Sequence, residues 1–191
     1  GALDEVNNII KPGVSTSEID KLCYEYINDH QAFSAPLYYR GYPKSCCTSS
    51  NHVVCHGIPS EKILNDGDIL NVDVTAIKDG WHGDTSRMFV VGECSVKAKK
   101  LIKTTYEAMM EAIKIIKANM KIGNIGYTIQ KLVEAEGFSV VRDFCGHGIG
   151  KKFHESPNVL HYGVKNSGQE LKDGMIFTVE PMINCGKFET K

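Results

Sequence analysis

A chain of 191 residues is long enough for one sizeable domain, or for two small halves sharing a core, and 42% hydrophobic with 24% charged residues is ordinary for a soluble globular protein. A formal net charge of −1 gives no electrostatic case for nucleic acid or an anionic membrane as a partner. No apolar run approaches the ~18 residues that span a bilayer, and seven cysteines without a CxxC pair suit buried thiols in a reducing compartment, so the cytoplasm is the expected address.

Residues 2–10 read as a helix that stops before Pro12-Gly13, and Ser15-Thr16-Ser17-Glu18 is a capping box opening a second helix to about Asp29. Short strands are expected near 45–55. Asp68 to Val91 then reads as one β-hairpin, with Ile69–Ile77 alternating apolar and polar residues, Asp79-Gly80 as a two-residue turn, and Trp81–Val91 returning. That turn pairs Lys78 with Trp81, Asp73 with Ser86 and Asp84 with Thr75. Asp73 and Asp84 then share a face as diagonal neighbours, with Cα atoms roughly 7–8 Å apart. Two carboxylates so placed repel unless protonated, solvated or bridged by a cation; a solvated polar face and a cation site both remain open here. A long amphipathic helix is expected from about Val96 to Ala118, a shorter one from Ile125 to Glu136, and strands near 138–144 and 175–184.

The second half echoes the first. Lys11-Pro-Gly13 with Ile19 and Leu22 recurs as Lys121-Ile-Gly123 with Ile129 and Leu132. Cys55-His56-Gly57-Ile58 recurs as Gly146-His147-Gly148-Ile149, and Leu64 through Asp73 as Leu171 through Glu180. Asp-Gly before a strand is common turn grammar, but three echoes in one order favour a duplication, with pseudo-repeat halves of about 1–94 and 95–191 in a single domain. Two similar halves facing each other would present His56 and His147, and Asp73 and Glu180, from opposite sides of one cleft.

The echoed positions carry metal-binding side chains. His147 lies between glycines that permit close backbone approach and an unusual turn. Glu180 precedes Pro181, which cannot donate to a ladder and so marks an edge or bulge. Asp73, Asp84, His147 and Glu180 are too oxygen-rich for a structural zinc site and suit Mn²⁺, Fe²⁺, Co²⁺ or Zn²⁺. A bridging carboxylate could hold two ions roughly 3.5–4 Å apart, sharing a water aimed at a carbonyl. His56 and His154 are left to shuttle protons or bind substrate; His30, His52, His82 and His161 read as structural. No GxSxG elbow or phosphate-binding GxxxxGK[ST] loop is present. Cys55 beside His56 is a poor nucleophile–base pair if both lie on a strand, where neighbours point to opposite faces.

Val54-Cys-His56-Gly-Ile-Pro59, Asn71-Val-Asp73-Val-Thr75, Gly80-Trp-His-Gly-Asp84-Thr-Ser-Arg-Met88, Cys145-Gly-His147-Gly-Ile-Gly150, Phe153-His154-Glu155 and Phe177-Thr-Val-Glu180-Pro-Met182 together resemble the bacterial, type I methionine aminopeptidases. The short span between His154 and Glu180 leaves no room for the large insert of the type II enzymes. The resemblance implies the pita-bread α+β fold: a curved antiparallel sheet, two helix pairs and an internal pseudo-two-fold. It implies removal of the initiator methionine from nascent polypeptides with a small second residue, by a cytoplasmic monomer acting near the ribosome and needing no nucleic acid or membrane. By the family pattern Asp73 binds one of two divalent ions, Asp84 bridges both, and His147 and Glu180 bind the other. His154 would contact the substrate peptide group and His56 assist the intermediate or a proton. Tyr39, Tyr42, Cys47 and Phe153 would line the methionine pocket, a fitting surface for a polarisable thioether.

The same resemblance marks departures. Family members carry a further bridging glutamate and a pocket-rim tryptophan on a C-terminal strand, and the sequence reaches Lys191 before either; weaker binding of the second ion is the expectation. Pro36 and Arg40 stand where a cysteine and a histidine are usual. A prolidase-like peptidase and a peptide-binding module without turnover are the competing readings.

Overall fold

Every residue from Gly1 to Lys191 is described in the computed structural model. The chain divides into two units, Gly1–Val96 with Lys151–Phe153, and Lys97–Gly150 with His154–Lys191. No helix is long and apolar enough to cross a membrane.

In the first unit, helices α1 (Ala2–Ile9) and α2 (Thr16–Asp29) precede strands β1 (Phe33–Ser34), β2 (Cys47–Ser50), β3 (Ile69–Lys78) and β4 (Trp81–Val90). The capping box forms as expected. Ser15 Oγ accepts the Glu18 amide at 3.2 Å, while Glu18 Oε2 accepts the Ser15 amide at 2.7 Å, a device worth about 1 kcal/mol. The hairpin closes through Asp79 and Gly80, both at positive φ (52° and 80°), as a two-residue turn matched to strand twist requires. Its register is the expected one, with Lys78 opposite Trp81, Thr75 opposite Asp84 and Asp73 opposite Ser86. β3 is the central strand, with β4 on one edge and β2 and β1 in succession along the other. Leu70, Val72 and Val74 alternate into a core with Val6, Ile19, Cys23 and Ile27 of the helices. Asp73 and Thr75 therefore face the other way, and with them Asp84.

The second unit holds α3 (Val96–Lys114), α4 (Gly123–Ala135), β5 (Ser139–Val140), β6 (Gly146–Gly148), β7 (Glu155–Val159) and β8 (Ile183–Asn184). β5 pairs with β8, and β6 with β7, all antiparallel. Ala108 and Ala112 of α3 pack with Ile125, Ile129 and Val133 of α4, Val140, Val159 and Leu171. Gly126 lets α4 approach the chain beyond β7 closely: a Cβ there would lie 2.5 Å from the carbonyl oxygens of Leu160 and Tyr162.

The echoed segments use one bonding device in each unit. Leu64 donates to the Val14 carbonyl and accepts from Gly13, while Leu171 donates to the Met120 carbonyl and accepts from Asn119. Elsewhere the structure departs from expectation. α3 ends at Lys114 rather than near Ala118, because the chain turns at Asn119 (φ 65°) and commits its backbone to Leu171. Residues 175–182 form one isolated bridge, Phe177 with Gly148, rather than a continuous strand, and only Ile183–Asn184 qualifies as one. Near 45–55 the strand stops at Ser50.

Candidate functional site

Three antiparallel strands bring the first group of residues together. Asp73 on β3 lies opposite Cys47 on β2 and Ser86 on β4. Cys47, Asp73 and Asp84 therefore occupy one face, the face away from the helical core. Burial chiefly, and then Asp73, Cys55 and Asp84, push the Cys47 thiol up to about 12, against a hydrogen bond from Tyr42. The Tyr42 hydroxyl reaches the carbonyls of Cys46 and Gly57, both at 3.0 Å, and burial raises its pKa. Both groups are neutral at physiological pH. In the metal-free protein, iodoacetamide at pH 8 should alkylate Cys47 about a thousandfold more slowly than in the urea-unfolded chain, from the thiolate fraction alone. Peptide mapping by mass spectrometry measures both rates, and equal rates would contradict this environment.

His56 is not on a strand. It sits at φ 55°, a left-handed conformation rare for a non-glycine residue, so the strand-alternation argument against Cys55–His56 does not apply. Its ring remains solvent-exposed. The surrounding protein still desolvates it enough to lower its pKa, opposed by the field of Asp84. Aromatic contacts gather nearby in the same unit. Tyr39 meets Phe153 at a ring-centroid distance of 4.9 Å, and His82 stacks on Phe153 at 5.6 Å with planes 21° apart. His82, read from sequence as an ordinary structural histidine, thus backs Phe153, one of the residues expected to line the pocket. Arg40 places its guanidinium 5.3 Å from the Tyr39 ring centre.

In the second unit, β6 carries His147, which is buried. The glycines around it do not make a turn. Gly146–Gly148 is a strand with a bulge after His147, and the glycines serve close approach: a Cβ on Gly146 would sit 2.5 Å from the Thr178 oxygen, and one on Gly148 2.2 Å from that of Ser156. The segment before Glu180 lies along β6, with Thr178 N–H donating to the His147 carbonyl at 2.9 Å and Ile149 N–H to Ile176 at 3.2 Å. His147 Nε2 and Glu180 Oε1 are 3.5 Å apart, and the His147 and His154 rings lie 4.2 Å apart at 45°. The Thr178 hydroxyl accepts the His147 backbone N–H at 2.9 Å and donates to Glu180 Oε1. Nothing in the sequence singled out Thr178. His161, also read as merely structural, is fully buried, and its Nε2 accepts the Glu180 backbone N–H at 3.1 Å. Burial pushes its pKa down to about 4, so the ring is neutral.

The donor chemistry fits a divalent ion. The Gly148 carbonyl lies 3.0 Å from His147 Nδ1 and can only accept, so Nδ1 carries the proton and Nε2 keeps its lone pair. Two donors at roughly 2.0–2.2 Å from one ion lie about 3–3.5 Å apart, the separation seen between Nε2 and Oε1. No three His, Cys, Asp or Glu side chains stand together as a metal-ready group; of the expected ligands, Asp73 and Asp84 belong to the first unit and His147 and Glu180 to the second.

A family model described as metallopeptidase family M24 matches residues 1–190. The chain belongs to metallopeptidase family M24. This M24 chain is 54% identical over 188 residues to the methionine aminopeptidase of Rickettsia prowazekii (strain Madrid E), covering 98% of itself and 73% of that protein. The crystal structure of methionine aminopeptidase from Rickettsia prowazekii superposes with a TM-score of 0.98 at 53% identity, over 100% of this chain and 77% of that one. The Xaa-Pro dipeptidase from Bacillus anthracis superposes at 0.80 with 26% identity, over 94% of this chain and 48% of the other. The fold is thus the pita-bread α+β fold, and membership of a metallopeptidase family implies divalent metal ions.

Proposed function

We propose that this M24 metallopeptidase removes the N-terminal methionine from nascent polypeptides whose second residue is small. Asp73, Asp84, His147 and Glu180 are the ligands for its divalent ions. Bound ions of this kind supply Lewis acidity, polarising the scissile carbonyl and acidifying the attacking water. The remaining work falls to the chain. The observation that carries methionine as the substrate side chain is Cys47: a neutral, buried thiol directly opposite Asp73 in the β2–β3 register. With Tyr39, Tyr42 and Phe153 of the same unit it offers aromatic rings and a thiol, a surface that suits a thioether. His154, whose ring lies 4.2 Å from that of His147, would hydrogen-bond the substrate peptide group. His56, its pKa lowered, is neutral near pH 7 and can accept a proton at its unprotonated ring nitrogen.

The test uses the chain stripped of metal by chelator and dialysed, then supplied with Co²⁺ or Mn²⁺. Met-Ala-Ser should be cleaved to methionine and Ala-Ser, the turnover vanishing on chelation and returning with metal. Cleavage of Ala-Pro peptides alone would favour a prolidase-like enzyme instead. Binding of Met-Ala-Ser without turnover would favour a peptide-binding module.

A further inference from the structure

Glu180 stands where the chain has few backbone anchors. Thr178 N–H bonds to the His147 carbonyl on one side, and Val141 N–H to the Met182 carbonyl on the other. Between these bonds the chain passes from β6 towards β5, and Pro181 has no N–H to offer. The Glu180 amide is held at this crossing by a side chain, Nε2 of His161 at 3.1 Å. An accepting Nε2 leaves the single ring proton of the neutral imidazole on Nδ1. Nδ1 is buried and has no hydrogen-bond partner. Such a donor costs stability, so the ring is a poor choice for packing alone. What the ring supplies in return is the acceptor for the Glu180 amide.

We infer that His161 is a positioning residue for the metal centre: by fixing the Glu180 backbone it aims the carboxylate at His147 Nε2, so that one ion meets both donors without reorganisation. The inference rests on Glu180 being a metal ligand, as proposed above. Supporting groups behind metal ligands typically govern affinity by 10–100-fold. Thr178 steadies the Glu180 carboxylate and His161 its main chain, so the two constraints act at opposite ends of one residue.

Co²⁺ titrated calorimetrically into chelator-stripped protein tests this, with folding checked by circular dichroism. His161→Leu, which keeps apolar bulk but has no acceptor, should weaken Co²⁺ binding by about 10–100-fold. His161→Gln, whose Oε1 can accept the Glu180 amide, should recover most of that loss. Glu180→Gln is the control. If it binds Co²⁺ as the wild type does, the ligand reading itself fails. If it loses Co²⁺ while His161→Leu binds normally, or if His161→Gln is no better than His161→Leu, the positioning role fails. Should His161→Leu not fold, the wild type decides by ¹⁵N NMR. A neutral His161 with its proton on Nδ1 and an unprotonated, hydrogen-bonded Nε2 supports the inference, and a proton on Nε2 overturns it.

Discussion

Replacing His147 with alanine should leave the folded protein unable to retain metal through dialysis and should cut Met-Ala-Ser turnover by about a thousandfold or more. A thousandfold corresponds to about 4 kcal/mol of transition-state stabilisation, within what a catalytic metal supplies. The expectation follows from how the ring is held. Its Nδ1 is engaged by the Gly148 carbonyl, so no rotation or tautomer change is needed before Nε2 can bind an ion, and Glu180 Oε1 already waits 3.5 Å away. Alanine removes the nitrogen and leaves Glu180 with one fewer partner at the ion. Metal content by mass spectrometry, beside kcat and KM, separates this from a fold defect. Equal metal content in wild type and His147→Ala would sink the assignment.

Gly146→Ala should damage the same proposed centre without altering any of the proposed ligands. The added Cβ would lie 2.5 Å from the Thr178 carbonyl oxygen and 3.1 Å from its hydroxyl. The first is backbone and cannot swing aside, so β6 and the segment bearing Glu180 must move apart. Overpacking of this kind costs about 1–3 kcal/mol, seen as a lower urea midpoint. The displacement also separates His147 from Thr178 and Glu180, so Co²⁺ affinity should fall at least tenfold. Gly186→Ala is the matched control, since a Cβ there meets nothing within 4 Å. A Gly146→Ala protein with wild-type midpoint and affinity would show that the close approach has no bearing on the site.

Legibility from sequence followed the range of the interactions. The hairpin could be read because both its determinants are local: Asp79-Gly80 sets the turn, and the apolar alternation of Ile69–Ile77 sets the face. The capping box at Ser15 is equally local. β7 has no local signal, since Glu155-Ser-Pro-Asn-Val carries a proline and little alternation and is a strand only through pairing with β6. Residues 175–182 looked like a strand from their apolar character, yet their hydrogen bonds go to β6 at isolated points. His56 lies off any strand at φ 55°, a conformation that no local pattern around it signals, beside Gly57, where a Cβ would lie 2.2 Å from the Thr48 oxygen. His161 was the hardest to read. A histidine after Val-Leu gives no hint that its acceptor nitrogen will meet an amide 19 residues on.

The Thr178 hydroxyl spends its proton on the Glu180 carboxylate and its lone pair on the His147 backbone, the two ligands proposed for one ion. His147, Thr178 and Glu180 are therefore mechanically linked: a displacement of either outer residue is passed to the other through the Thr178 hydroxyl. Retuning metal preference by altering one ligand should demand compensation at Thr178. Conversely, grafting this three-residue arrangement onto another pair of adjacent strands should carry half of a metal site with it.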